Sequence, residues 1–254
     1  MAETDHAVHL PVGDCSQCPF RNKTLLMGRC MPGDTCIAVE SGRQIDRFFR
    51  VNPAYALHFL QDPYWERRAI AARYAPEKAL QGLIDDEDEV VRRVVAYRLP
   101  AHQLVTWIHD PDREVRMTVA ERIDAEHLES LATDHDYIVR LTVVRRLMPG
   151  RLFRFIKDPE EQVRKRVAER LPEVSLGLMV RDMSAAVRRI VAERLSAEEA
   201  VLLLHDEDWV VRYTVAQKVD PQNLSTLLDD PEPDVRDIAR QRLQPQMPLE
   251  SDHD

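Results

Sequence analysis

Glycine is scarce: the 254-residue chain has seven. Few turns at positive φ can be built from that supply, so a mostly helical protein is expected. Lysine is rarer still, with five against 30 arginines. Arginine is the cation suited to planar, multi-donor pairing in a fixed geometry, so this bias points to structured ion pairs. No stretch approaches the ~18–20 apolar residues that a bilayer span requires, which excludes a transmembrane helix. No basic excess exists either: the net charge of −9 argues against a nucleic-acid partner, since phosphate binding needs a basic face. The start, MAETDHAVHLPVGD, carries acids and no apolar core of a secretory leader, so a cytoplasmic location is expected. What is present is a 44% hydrophobic fraction, which rules out disorder throughout and suffices for one large domain or two modest ones.

A 24-residue repeat dominates the chain. An Asp followed six residues later by Arg recurs without insertion at Asp62/Arg68, Asp86/Arg92, Asp110/Arg116, Asp134/Arg140, Asp158/Arg164, Asp182/Arg188, Asp206/Arg212 and Asp230/Arg236. With the Asp as position zero, +5 is Val in seven units, +10 is usually Ala, and +13 is usually Leu, Ile or Val. Positions +5, +9, +10 and +13 share one face at helical spacing, predicting a helix from about +3 to +13. Position +2 is often Asp or Ser, suited to an N-cap, and Asp-Pro at 0 and +1 signals a turn. Apolar residues at +18 and +21, three apart, predict a short 3₁₀ helix in the remaining ten residues. One unit cannot cover its own apolar faces, but stacked units can, which makes a solenoid.

The Arg at +6 falls among the apolar positions of the wheel and is directed inward or toward the next unit. Inward cations require partners. The expectation is a ladder in which each Arg pairs with an Asp or with carbonyls of its own or the neighbouring turn; a row that binds phosphate or acids is the other reading. The first unit carries Arg67 and Ala75, and the last carries Arg240, where the others have apolar residues, as terminal units require. Trp107 at +21 is expected in the core. Trp65 and Trp209, both at +3, are candidates for a partner surface, and the scattered His are expected to be exposed.

All four cysteines lie in one short segment: Cys15-x2-Cys18, then Cys30-x5-Cys36. Four thiolates complete the ligand set of one [4Fe–4S] cluster or one tetrahedral Zn²⁺. The x5 spacing leans away from zinc, and Cys-Pro after C-x2-C also occurs in ferredoxin-like loops. Iron–sulfur, zinc, and disulfides or free thiols all remain open from these residues alone. Ile37–Leu60 carries Ile45, Phe48, Phe49, Tyr55, Leu57, Phe59 and Leu60, and is expected to form a half-repeat that docks the cysteine segment onto the stack.

A D-x4-VR-x3-A-x2-L unit stacked behind four N-terminal cysteines resembles the leucine-rich repeat variant iron–sulfur proteins of nitrogen-fixing bacteria, over residues 15–243. The resemblance implies an all-α, right-handed superhelical solenoid of alternating α- and 3₁₀-helices with a small N-terminal iron–sulfur subdomain. It also implies a 4Fe-4S cluster on Cys15, Cys18, Cys30 and Cys36, and a link to nitrogen fixation. The expected organisation is a disordered 1–14, a cluster subdomain 15–36, a helical cap 37–61, eight repeats over 62–243 and a disordered acidic tail 244–254. No Ser/His/Asp triad, P-loop or G-x-G-x-x-G is visible, so no catalytic residues are nominated. The expected role is a scaffold for a protein partner, redox- or oxygen-responsive or engaged in electron transfer; the chain is expected to act as a monomer, with no nucleic acid and no membrane. The other readings are a repeat adapter with structural zinc, and an enzyme such as a bilin-lyase-like repeat protein.

Overall fold

The computed structural model describes residues 11–244. Within them the chain forms two compact units, dividing after Leu131. The first holds the cysteine segment and four α-helices: α1 (Gly42–Val51), α2 (Trp65–Tyr74), α3 (Glu89–Arg98) and α4 (Arg113–Arg122). The second holds α5 (Tyr137–Arg146), α6 (Glu161–Arg170), α7 (Ala185–Arg194), α8 (Trp209–Ala216) and α9 (Pro233–Leu243). In each unit, successive α-helices pack side by side, and a short 3₁₀ segment links each to the next. Among the described residues there is no β-strand, only the single bridge between Met31 and Thr35. No described helix is long and apolar enough to cross a membrane. The expected tail lies outside the described residues apart from Gln244.

The α-helices start at +3, as the periodicity predicts. Asp88, Asp112, Asp136 and Asp208, at +2, accept hydrogen bonds from backbone N–H groups of the first turn, for example Glu114 N to Asp112 Oδ1 at 2.9 Å. The inward face is fully packed: Val91, Val95, Ala96, Val115, Val119, Ala120, Val163, Val167 and Ala168 have no exposed surface. The 3₁₀ segments bury both of their apolar positions, as in Leu80 and Leu83, Leu104 and Trp107, Leu152 and Phe155. At three residues per turn these side chains eclipse, so a seven-residue segment can present both to the core. Two linkers begin instead with a short α-turn, Ala125–Leu128 and Ala197–Ala200, before the 3₁₀ turn. Trp107 is buried as expected, and its indole N–H donates to the Ile84 carbonyl at 3.0 Å.

The Asp/Arg ladder is present and runs forward along the chain. Arg68 and Arg92 in the first unit, and Arg140, Arg164, Arg188 and Arg212 in the second, each grip the Asp eighteen residues later through Nε and Nη2. The Arg140–Asp158 fork has both bonds at 2.8 Å. The remaining Nη1 reaches back to the carbonyl of the Asp in its own repeat, as Arg140 does to Asp134 O at 2.8 Å. Each Asp has a second duty. Its Oδ1 accepts the backbone N–H two residues on, from Tyr64 N on Asp62 (2.9 Å) to Glu232 N on Asp230 (2.9 Å), closing the turn before the helix. The binding row is therefore disfavoured, because the ladder's donors are engaged inside the protein.

A second ladder runs backward, and the sequence reading missed it. At +12 stand Arg98, Arg122, Arg170, Arg194, Lys218 and Arg242, and each reaches the last carbonyls of the preceding α-helix. Arg122 Nη1 takes Ala96 O at 2.5 Å and Leu99 O at 2.9 Å. Those carbonyls lack intrahelical donors and carry the negative end of the helix dipole, so a cation there supplies both a bond and a charge. Removing it in Arg122→Ala is expected to cost about 1–2 kcal/mol in urea unfolding, with partial recovery in Arg122→Lys.

Candidate metal centre

The cysteine segment is built from turns rather than regular elements. A single π-turn, Arg21–Leu25, follows Cys18, and Gly28 (φ 67°) reverses the chain before Cys30. Gly33 (φ 81°) turns the loop between Cys30 and Cys36, where Met31 N donates to Thr35 O at 2.8 Å. A side chain at either φ is strained, so these two positions spend glycine where the backbone demands it.

These turns bring Cys15, Cys18, Cys30 and Cys36 to the wall of one small cavity, shared with Gly13, Arg21, Thr24, Leu25, Pro32, Ile37 and Phe48. All four carry free thiols; Cys36 is buried and the other three are half-buried. Among the described residues, no group of three or more His, Cys, Asp or Glu side chains is arranged to hold a metal ion. Burial pushes the Cys36 thiol above its usual range; the Ala38 backbone N–H opposes this, and the three other cysteines add to the rise. A buried thiol such as Cys36 becomes a thiolate readily only when a positive metal core joins it. Gly13 leaves the space such a core needs: a Cβ there would stand 2.8 Å from Cys36 Sγ. The residues present fit a thiolate-bound inorganic group.

Residues beyond the cysteines fix the site, and of these Phe20, Gln44 and Asn52 were not singled out from the sequence. Phe20 inserts its ring among Phe48, Tyr55 and Phe59, with centroids 5.1–6.3 Å away. Asn52, at the end of α1, donates from Nδ2 to Arg29 O at 2.8 Å, tying the residue before Cys30 to the first helix. Gln44 holds both ends of the segment: its Nε2 donates to Pro11 O at 2.8 Å, and its carbonyl accepts from Cys36 N at 3.3 Å. Residues 11–14, assigned with 1–10 to a disordered start, are thus placed against the site, whereas 1–10 lie outside the described residues. The docking segment contains both helices of a unit, α1 and the 3₁₀ helix Pro53–Phe59, and so is more than the half-repeat expected. Arg67, which replaces the usual Val, faces Ile37 O and lies 3.1 Å from Asp62 Oδ1 with its guanidinium over the Tyr64 ring.

Comparison with known proteins agrees with this geometry. Residues 11–58 match the family model described as the LRV protein FeS4 cluster. A protein of Rhodobacter capsulatus, described as an uncharacterized 27.7 kDa protein in the nifB 3' region, is 40% identical over 88 residues. That alignment covers 35% of this chain and spans only about a third (36%) of the relative's length. A solved structure described as a leucine-rich repeat variant with a novel repetitive protein structural motif is 58% identical. It aligns over 91% of this chain and 99% of its own, with a TM-score of 0.86. By that shared sequence and fold, the chain belongs to the leucine-rich repeat variant family and carries that family's iron–sulfur segment at its N-terminal end.

Proposed function

We propose that this protein is a non-catalytic interaction scaffold whose Cys15, Cys18, Cys30 and Cys36 hold one [4Fe–4S] cluster that exchanges single electrons. The observation that carries this reading is the placement of four thiols around one cavity, with glycine where a side chain would intrude. The five-residue spacing between Cys30 and Cys36 and the match of residues 11–58 to the FeS4 family model favour a four-iron cluster over a single ion. With all four irons ligated by protein, no site remains for substrate, so the cluster supplies one-electron chemistry when bound. The scaffold reading draws on the repeats: the Asp and Arg of the forward ladder are used in turns and forks, leaving the outer helix surfaces, with exposed Trp65 and Trp209, for a protein partner. A role beside nitrogen fixation is supported by the description of the Rhodobacter relative.

Anaerobic purification followed by metal and acid-labile sulfide analysis tests this. About four iron and four sulfide per chain are expected, with an EPR signal on reduction. One zinc per chain without sulfide overturns it.

A further inference from the structure

The loops that hold the thiols also present an unusual surface. Leu26 (73% exposed), Met27 (67%), Met31 (56%) and Val12 (68%) all stand in solvent within this short segment. They are tied to the site. Leu26 and Met27 follow cavity-lining Leu25, Met31 adjoins Cys30, and the Val12 side chain lies against the Gly33 turn. Around them Arg21, Lys23 and Arg29 are exposed, and among the described residues none of the three side chains makes an ion pair or hydrogen bond. The two acids of the segment are engaged: Asp34 by Arg47, and Asp14 by the Ser16 N–H at 2.8 Å. A chain of net charge −9 thus carries a basic, apolar collar at the place where three half-buried thiols approach the surface.

We propose that this collar docks an acidic one-electron carrier protein and that electrons pass between the carrier and the cluster through it. Charge complementarity selects the partner, since unpaired cations on an acidic protein steer an acidic surface to one place. The exposed Met and Leu side chains give the adaptable apolar centre that such an encounter buries. In the transfer, the reduced carrier loses one electron and the cluster gains one; no bond forms and no proton moves. The proposal rests on the redox reading of the cluster above.

The test uses the full-length, cluster-loaded protein and a hydroquinone-state flavodoxin, an acidic carrier whose flavin signal is separable from that of the cluster. Stopped-flow reduction should slow steeply with rising salt. It should also slow by about tenfold or more in the Lys23→Glu/Arg29→Glu variant, and fall again in Met27→Ser. Reduction by dithionite at high salt should be the same in all forms. If dithionite reduces the cluster but the flavodoxin rate ignores both salt and substitution, the docking proposal fails while the redox reading stands. If dithionite reduces nothing, the redox reading fails and takes the proposal with it. Should Met27→Ser instead change the mass of the protein in sedimentation, with carrier rates unaltered, the collar is covered by a second copy and the proposal is overturned.

Discussion

Arg140→Ala is expected to destabilise the protein by about 3–5 kcal/mol in chemical denaturation. Its guanidinium holds Asp158 in a two-bond fork at 2.8 Å, and both residues are only 8% exposed. Truncation leaves the Asp158 carboxylate buried with the Glu160 N–H still bonded to it, and removes the bond that Arg140 gives the Asp134 carbonyl. The hydrogen bond to Asp158 also drives the Arg140 pKa upward, so the cation does not escape by losing its proton. The diagnostic comparison is the double variant Arg140→Met/Asp158→Leu. Removing both charges abolishes the unpaired ion, so much of the loss should return. If Arg140→Ala unfolds at the wild-type denaturant concentration, the ladder is ornamental.

Cys36→Ser is expected to abolish the proposed cluster and loosen the cysteine segment that it would hold. Cys36 is the one fully buried thiol of the four, its N–H is bound to Gln44 O, and its sulfur faces Gly13. A serine hydroxyl is a poor ligand for iron, and a site that loses metal loses the folding free energy of binding it. Visible absorption should disappear. Limited proteolysis should cut within residues 15–36 while the repeats stay intact, because those are closed by their own ladders. A colourless variant that resists cleavage as wild type does would show that Phe20 and Asn52 hold the segment without a metal.

Much of this was legible because repetition averages out accident. Eight copies of one spacing expose the helix start, the 3₁₀ pair and the inward Arg. What the count cannot supply is direction. In a strict period of 24, each internal Arg has one Asp six residues before it and another eighteen after it, and only geometry decides that the later one receives the fork. The +12 cations escaped notice for a different reason: their partners are backbone carbonyls, which leave no mark in the sequence. Around the cysteines no period operates. The contact of Asn52 with Arg29 and that of Gln44 with Pro11 span 23 and 33 residues of unique sequence, so nothing but the fold brings them together.

Within each unit the forward fork gives a repeat a plug on one side and a socket on the other, so the stack there has a direction. Asp62 is the socket of the first repeat, and no fork from an earlier unit comes to it. Arg67, standing where later repeats place Val, lies against that carboxylate in cis. The exception in the motif supplies from within the first repeat the cation that Asp62 would otherwise draw from a preceding one, so the ladder can begin there without leaving that carboxylate unpaired.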